Sequence, residues 1–252
     1  MGPNYNFGAY HWRRRFRRIA AALALAAASL LLWRRGRRGR PVAALLALAA
    51  AIRGYGPVKR LLSPPPWALE RDKYDALGRA LPLADADLVV DVGCGTGRSL
   101  VGLAPWLPDD CTVVGLDVFD SRIILGNGPA LARRNAARAG LDVAAVAGDA
   151  SGLPLGDDSA DAVTACRVLH DLPRADAEHA LAEARRACRP DGRLGVLELP
   201  LTHGVDADPV SYWTRLVGDA GFDVRRAEPI ARDGGETEYV VVVAEPDPTA
   251  DG

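Results

Sequence analysis

The chain has 252 residues, 49% of them hydrophobic, and a formal charge of −1. That length suits one domain with an appendage. Its four cysteines, Cys94, Cys111, Cys166 and Cys188, are scattered through apolar stretches with no CxxC pair and read as reduced core residues rather than a disulfide frame or a metal site. The near-neutral total conceals two halves. Residues 1–60 hold thirteen Lys/Arg and no acid, and the remainder holds 18 basic groups against 32 acidic ones. Such asymmetry implies a tail with its own anionic partner, a membrane or a nucleic acid. Lysine occurs only at 59 and 73, against 29 arginines, and Asp outnumbers Glu by 24 to 8. This bias fits a GC-rich genome, or a protein kept soluble in high salt.

The first element is "WRRRFRRIAAALALAAASLLLWRRGRRGR", residues 12–40, followed by a second apolar run at 41–52. Its "RRRFRR" resembles a twin-arginine export signal, yet Trp33 and five more arginines follow the apolar run with no cleavage site between. A transit peptide would be Ser-rich, and only Ser29 precedes Ser63. An RNA-binding arm has no use for fifteen uncharged Ala/Leu-rich residues. A tail helix packed on its own domain is a further alternative. As a helix, residues 19–33 would reach roughly 22 Å, short of a ~30 Å hydrocarbon core. A shallow hairpin with its arginines on anionic headgroups therefore satisfies more of the pattern than a spanning pair.

Further along, "SPPPW" at 63–67 reads as a stiff spacer, and 67–81 as a short helix stopped by Pro82. Apolar runs at 88–92, 112–116, 142–147, 161–166 and 193–199 are candidate strands with helical segments between them. The clearest helix is 174–189, whose Ala177, Ala180, Leu181, Ala184, Ala187 and Cys188 share one face; "PDG" at 190–192 should end it in a turn. A helix at about 209–220 precedes two runs, 222–230 and 237–245, joined by "DGGE" as a hairpin. This alternation predicts an α/β, doubly wound, mostly parallel sheet with an antiparallel end.

The chemistry concentrates in "LVVDVGCGTGRSL", 88–100, a strand, a loop with Gly93, Gly95 and Gly97, and a helix. Its G-x-G-x-G spacing differs from the dinucleotide fingerprint, and Arg98 stands where a P-loop needs Lys. Asp117 ends the second strand, where a carboxylate can accept both ribose hydroxyls. Asp149 follows the third strand, where an adenine amino group would lie.

Together "VVDVGCGTG", Asp117, "GDASGLPLGDDSADAV", "LHDL" and "EARRACRPDGRLGVLE" resemble class I S-adenosylmethionine-dependent methyltransferases, nearest the menaquinone and ubiquinone C-methyltransferase branch. The resemblance covers about 70–245. It implies a seven-stranded sheet of order 3-2-1-4-5-7-6 with strand seven antiparallel. It implies S-adenosylmethionine as cofactor, with Asp91, Gly93, Cys94 and Gly95 along its methionine part. Asp117 would hold the ribose, Asp149 and Ala150 the adenine edge, and Arg167 would lie where cofactor meets acceptor. The sequence departs from the family at "LPLGDDSAD", which lacks the usual aromatics, and at "FDSRIILGNGP", 119–129, where Asn127 has no evident role.

Methyl transfer needs alignment more than covalent help, and a general base only where the acceptor must lose a proton. His170 and Asp171, after strand four, are placed for that role; Glu198 and His203 face the same crevice, and Tyr212 and Trp213 are candidate walls of an apolar pocket. The expected organisation is a membrane-associating segment at 1–62, a proline linker at 63–66, the methyltransferase domain at 67–245 and a flexible tail at 246–252. The expected activity is methylation of a small, apolar, quinone-like or lipid-like acceptor at the cytoplasmic face of the cell membrane. No metal and no nucleic acid is expected. The alternatives are a non-catalytic S-adenosylmethionine-binding protein and an RNA methyltransferase using the basic arm.

Overall fold

The computed structural model describes residues 4–61, 66–231 and 237–249. The "SPPPW" spacer thus falls mainly, and the "DGGE" connection entirely, outside the described residues. The chain divides into two compact units. One comprises Leu69–Phe119 and Gly128 onward, with the first four residues; the other comprises Tyr5–Ala68 with Asp120–Asn127.

The larger unit is built on seven strands: β1 (Leu88–Val92), β2 (Thr112–Asp117), β3 (Val143–Ala147), β4 (Ala160–Cys166), β5 (Cys188–Glu198), β6 (Phe222–Ala231) and β7 (Thr237–Pro246). They form one sheet in the order β3-β2-β1-β4-β5-β7-β6. The first five pair in parallel, and β7 runs antiparallel to both β5 and β6. This is the order the resemblance implied. Side chains alternate across the sheet. One face carries Val90, Val92, Val163, Leu194, Val196 and Val240 under two helices, α6 (Arg174–Ala187) and α7 (Pro209–Asp219). The other carries Val89, Ala162, Leu197, Val241 and Val243 against Tyr74, Leu77 and Leu81 of α3 (Asp72–Ala80) and the residue after it. Two short helices, α4 (Arg98–Leu103) and α5 (Pro129–Arg138), complete the unit.

All six apolar positions foreseen at 174–189 are buried, and Tyr212 and Trp213 join the core. Three boundaries differ from the sequence reading. Helix α3 begins at Asp72, not at Trp67; Asp72 and Asp75 occupy its first turn, where acids favour the helix N-terminus. The helix predicted to 189 ends at Ala187, because Cys188 already pairs with Ala160 in the sheet. "PDG" is accordingly no connecting turn. It belongs to a bulge, since the pairing jumps from Ala160–Cys188 to Ala162–Arg193. A side-chain carbon on Gly192 would lie 2.7 Å from Cys188 Sγ and 3.0 Å from the Ala160 carbonyl, so only glycine passes there.

In the smaller unit, α1 (Trp12–Arg34) and α2 (Arg40–Leu61) pair as an antiparallel hairpin turned at Gly36, φ 100°. Both helices exceed the apolar runs foreseen at 19–33 and 41–52, because arginine is itself a good helix former. The seam between them is made of small residues: Ala22, Ser29, Ala43 and Ala50 are buried, and Ser29 Oγ donates to the Ala43 carbonyl at 2.7 Å. Leucines 23, 30, 31, 45 and 48 and Ile52 face outward, each more than half exposed. The unusual 119–129 stretch gains a role here. Ile124 bridges to Tyr10, the His11 amide donates to the Ile123 carbonyl at 2.7 Å, and Trp12 Nε1 donates to the Ser121 carbonyl at 2.8 Å.

Candidate functional site

The sheet order reverses between β1 and β4, and the carboxyl ends of β1 and β2 open there into a cavity of about 190 Å³. Such switch points are where open α/β sheets bind ligands. Gly93, Asp117, Asp149 and Ala150 line it, with Val168 and Leu172 closing one side. Four of the ten expected site residues are thus brought together.

The glycine loop explains what the cavity accepts. Gly93, Gly95 and Gly97 all have left-handed φ, at 74°, 52° and 79°. A side chain on Gly93 would place its Cβ 2.3 Å from Val168 Cγ2, so the main chain itself forms the cavity floor. The Gly93 and Cys94 amides both donate to the Leu116 carbonyl, at 2.7 and 3.0 Å, and Gly97 donates to the Cys94 carbonyl at 2.8 Å. The Gly95 amide donates to Asp117 Oδ2 at 3.0 Å, and the Phe119 amide to Oδ1 at 2.5 Å. Three of these loop amides are therefore turned onto β2 and the fourth, Gly97, onto the loop itself, so none of the four is spare for phosphate. The two bonds to Asp117 fix the orientation of its carboxylate. This arrangement suits a nucleoside held by its sugar hydroxyls more than a phosphate group held by these four amides.

Asp91 and Cys94 sit beneath the loop rather than in the cavity. Asp91 is fully enclosed, accepting from Ser99 Oγ at 2.5 Å and Thr164 Oγ1 at 2.8 Å. Burial pushes its carboxyl up to about 6, against the pull of those two hydroxyls. It braces β1 to α4 and β4 and is not among the residues lining the cavity. Burial likewise raises the Cys94 thiol well above its ordinary value, and the side chain packs under β2. Asp149 is exposed; its Oδ1 accepts from the Ser151 amide and hydroxyl, each at 2.9 Å, and those bonds hold its carboxyl below the usual range.

Arg167 adopts φ 60° after β4 and lies outside the lining of this cavity. Next to it is a polar cluster that sequence reading missed. Lys73, 2% exposed, pairs with Glu70 and donates to Tyr239 Oη at 2.9 Å. Burial lowers its ammonium, Glu70 opposes this, and Arg167 and Arg98 add to the lowering. The signal was present, because this is the unit's sole lysine among many arginines. Asn135 was also missed; it is fully buried and donates from Nδ2 to the Thr96 carbonyl at 2.8 Å, tying α5 to the loop.

His170 and Asp171 lie in a single helical turn, Leu169–Asp171, directly between the cavity residues Val168 and Leu172. His170 Nδ1 lies 2.5 Å from Oε2 of Glu198, and Nε2 lies 3.5 Å from Asp171 Oδ1. Glu198 is fully buried, and its Oε1 accepts the Val168 and Leu169 amides at 2.8 and 2.7 Å. Burial lowers the His170 imidazolium, but the hydrogen bond and charge of Glu198 outweigh that and leave it raised. His203, by contrast, is engaged structurally: Nδ1 meets Tyr212 Oη at 2.6 Å and Nε2 reaches the Leu169 and Leu172 carbonyls at 3.1 Å. With two carbonyls on Nε2, the proton sits there, and Nδ1 accepts from the phenol. Trp213 donates from Nε1 to the Leu199 carbonyl at 3.1 Å. Both aromatics, offered as pocket walls, are core.

Residues 89–192 match a family described as a methyltransferase domain. The chain is 33% identical over 137 residues to 27-O-demethylrifamycin SV methyltransferase of Amycolatopsis mediterranei, covering 53% of this chain and 47% of that protein. It is 38% identical over 114 residues to the ubiquinone/menaquinone biosynthesis C-methyltransferase UbiE of Paracoccus denitrificans, covering 45% and 43%. The chain thus spans about half the length of these relatives. A SAM-dependent methyltransferase from Aquifex aeolicus shares the fold at 20% identity and a TM-score of 0.54, over 69% of this chain and 88% of that one. With the strand order and the inward-turned glycine loop, these matches show that residues 89–192 are a methyltransferase domain and that the unit carrying them belongs to the class I S-adenosylmethionine-dependent methyltransferase fold.

Proposed function

We propose that the chain transfers a methyl group from S-adenosylmethionine to a small, apolar, quinone-like or lipid-like acceptor. The observation that carries this reading is the cavity at the switch point. There a preset Asp117 carboxylate faces a main-chain floor with no amide spare for phosphate among Gly93, Cys94, Gly95 and Gly97. Relatives named for methylating a rifamycin and quinones support a small-molecule acceptor. Asp117 would hold the ribose, Asp149 and Ala150 the adenine edge, and Gly93 and Gly95 the methionine part through their main chain. The cofactor supplies a methyl group already activated on a sulfonium.

The chain's own work is then alignment and proton handling. Glu198 accepts from His170 Nδ1–H, which leaves Nε2, beside Asp171, as the nitrogen that takes a proton from an acidic acceptor. Because His170 is raised, kcat for such an acceptor rises with pH through a midpoint above the ordinary value of about 6.5.

Membrane association through α1 and α2 belongs to the same proposal, with the catalytic unit on the cytoplasmic face where the donor is made. Both helices are long and apolar enough to cross a membrane by length and composition. More telling is their inverted packing, alanines inside and leucines outside, which is costly in water and natural in lipid, where small residues make the helix seam. Extraction from membranes by detergent but not by salt is expected; release by salt together with bound RNA would favour a nucleic-acid arm instead.

Calorimetry tests the cofactor reading. S-adenosylmethionine should bind the folded chain and a nicotinamide dinucleotide should not, and Asp117→Ala should weaken binding by about 30-fold or more through two lost charge-assisted bonds. Binding of the dinucleotide alone would refute it. Formation of S-adenosylhomocysteine with a cell extract separates an enzyme from a silent binder.

A further inference from the structure

Within the smaller unit, the seam between α1 and α2 changes character at one end. His11, Arg14, Arg15 and Arg18 follow i, i+3, i+4, i+7 spacing and so form one stripe, the stripe that Ala22 and Ser29 continue as the buried contact. Four positions that would normally be apolar are thus a histidine and three arginines. Opposite them stand Gly56, Pro57 and Arg60 of α2, which supply little bulk, and the space between is a cavity of about 240 Å³. Arg15 Nη1 donates to the Arg60 carbonyl at 2.5 Å, and each guanidinium adds to the repulsion in the cavity.

Nothing within this unit neutralises the cluster. Tyr5–Ala68 and Asp120–Asn127 contain fourteen Lys/Arg and a single carboxylate, Asp120, which is forked by Arg122 at 2.7 and 2.9 Å. The N-terminus of the 23-residue α1, the positive end of its dipole, opens on the same side, and its cap residue His11 makes no side-chain cap bond. A dianionic group matches this site in charge and geometry, because arginine forks complement phosphate oxygens.

A second observation specifies what the phosphate is attached to. One turn beyond Arg18 a separate groove of about 360 Å³ runs along the same helix pair, lined by Ile19, Ala22, Ala26, Ala47, Ala51 and Gly54. It is almost wholly apolar, and from Ile19 to Ala26 it follows α1 for about 10 Å. A basic cavity followed along the same two helices by an apolar groove, with Arg18 next to Ile19 and Pro57 next to Val58 in the two linings, suits a head and a tail on one molecule.

We infer that the arginine cavity between the start of α1 and the end of α2 binds the phosphate headgroup of a lipid whose hydrocarbon chain lies in the adjoining groove. This rests on the membrane-associating reading of the hairpin. It adds a specific lipid site to what would otherwise be a diffuse basic surface.

The test titrates dioctanoyl phosphatidic acid and inorganic pyrophosphate into the full chain in neutral detergent micelles, by calorimetry. Phosphatidic acid should bind saturably and at least about tenfold more tightly than pyrophosphate, since its tail removes apolar area from water. Arg15→Gln with Arg60→Gln should weaken it by about tenfold or more. Arg37→Gln with Arg38→Gln removes the same charge at the hairpin turn and should change affinity by less than about threefold, since no fork is lost. Ala26→Trp should fill the groove, weakening phosphatidic acid while leaving pyrophosphate unchanged. Helix content by circular dichroism confirms that each variant folds. Equal losses in the two arginine pairs, or equal affinity for phosphatidic acid and pyrophosphate, would overturn the inference. Flotation on neutral phosphatidylcholine vesicles reads the membrane assignment separately: a chain that fails to float contradicts that assignment, while the micelle titration still decides the phosphate site.

Discussion

Asp91 is enclosed, and burial raises its carboxyl to about 6 despite hydroxyls from Ser99 and Thr164. The folded chain therefore holds a proton that the unfolded chain has released between about pH 4 and 6, and stability from this group falls as pH rises through that window. Above it the ionised carboxylate costs about 3 kcal/mol. Asp91→Asn should remove that dependence, so the variant gains on the wild type by up to that amount between pH 4 and 7 in denaturant unfolding; parallel curves would refute the assignment. His170 has the opposite benefit. Its raised imidazolium stabilises the fold fully below about pH 6.5, and this is lost as pH climbs through the folded value. Glu198→Gln removes the carboxylate charge and leaves burial and Arg167 lowering the ring against Asp171 alone, so His170 should fall from its raised value and the kcat limb should shift to lower pH. Glu198→Ala strands two buried amides and a histidine, and should cost about 3 kcal/mol. Gly93→Ala meets Val168 at φ 74°, and reduced S-adenosylmethionine binding with little change in helix content is the expected result.

At the scale of elements, periodicity was a reliable guide wherever one face is apolar. Helix α6 shows this, its alanine and leucine stripe buried as the spacing implied. The two misplaced boundaries at 187–192 share one cause, pairing partners distant in sequence: Cys188 leaves its helix for Ala160, 28 residues earlier, and "PDG" becomes a bulge to keep that register. The hairpin of α1 and α2 carries its own test. Replacing Leu23, Leu30, Leu45 and Leu48 with serine removes outward apolar surface but leaves the alanine seam. Vesicle association should fall by about tenfold or more while helix content is retained, since each leucine contributes roughly 1.5–3 kcal/mol on leaving water. If serine instead strengthens the soluble fold without changing sedimentation with membranes, the lipid-facing assignment is wrong.

For the whole molecule, the alternation of strand and helix patterns predicted a mostly parallel sheet with an antiparallel end, and the family resemblance carried by the ordered motifs implied the order 3-2-1-4-5-7-6 that the fold has. The alternation was legible because strand burial, glycine spacing and a carboxylate at the end of β2 are local features of the chain. Other features were decided by long-range packing. Asp91 became a brace because β4 brought Thr164 beneath it, and Glu198 was placed to orient His170 because β5 lies beside β4. Residues 120–127 joined the helical hairpin, although they lie inside the catalytic sequence, because their backbone found partners at Ala9–His11. Sequence determines what each segment tends to form and which atoms it carries. Which carboxylate lines the cavity and which is buried beneath it depends on neighbours far along the chain, and only the folded arrangement supplies those.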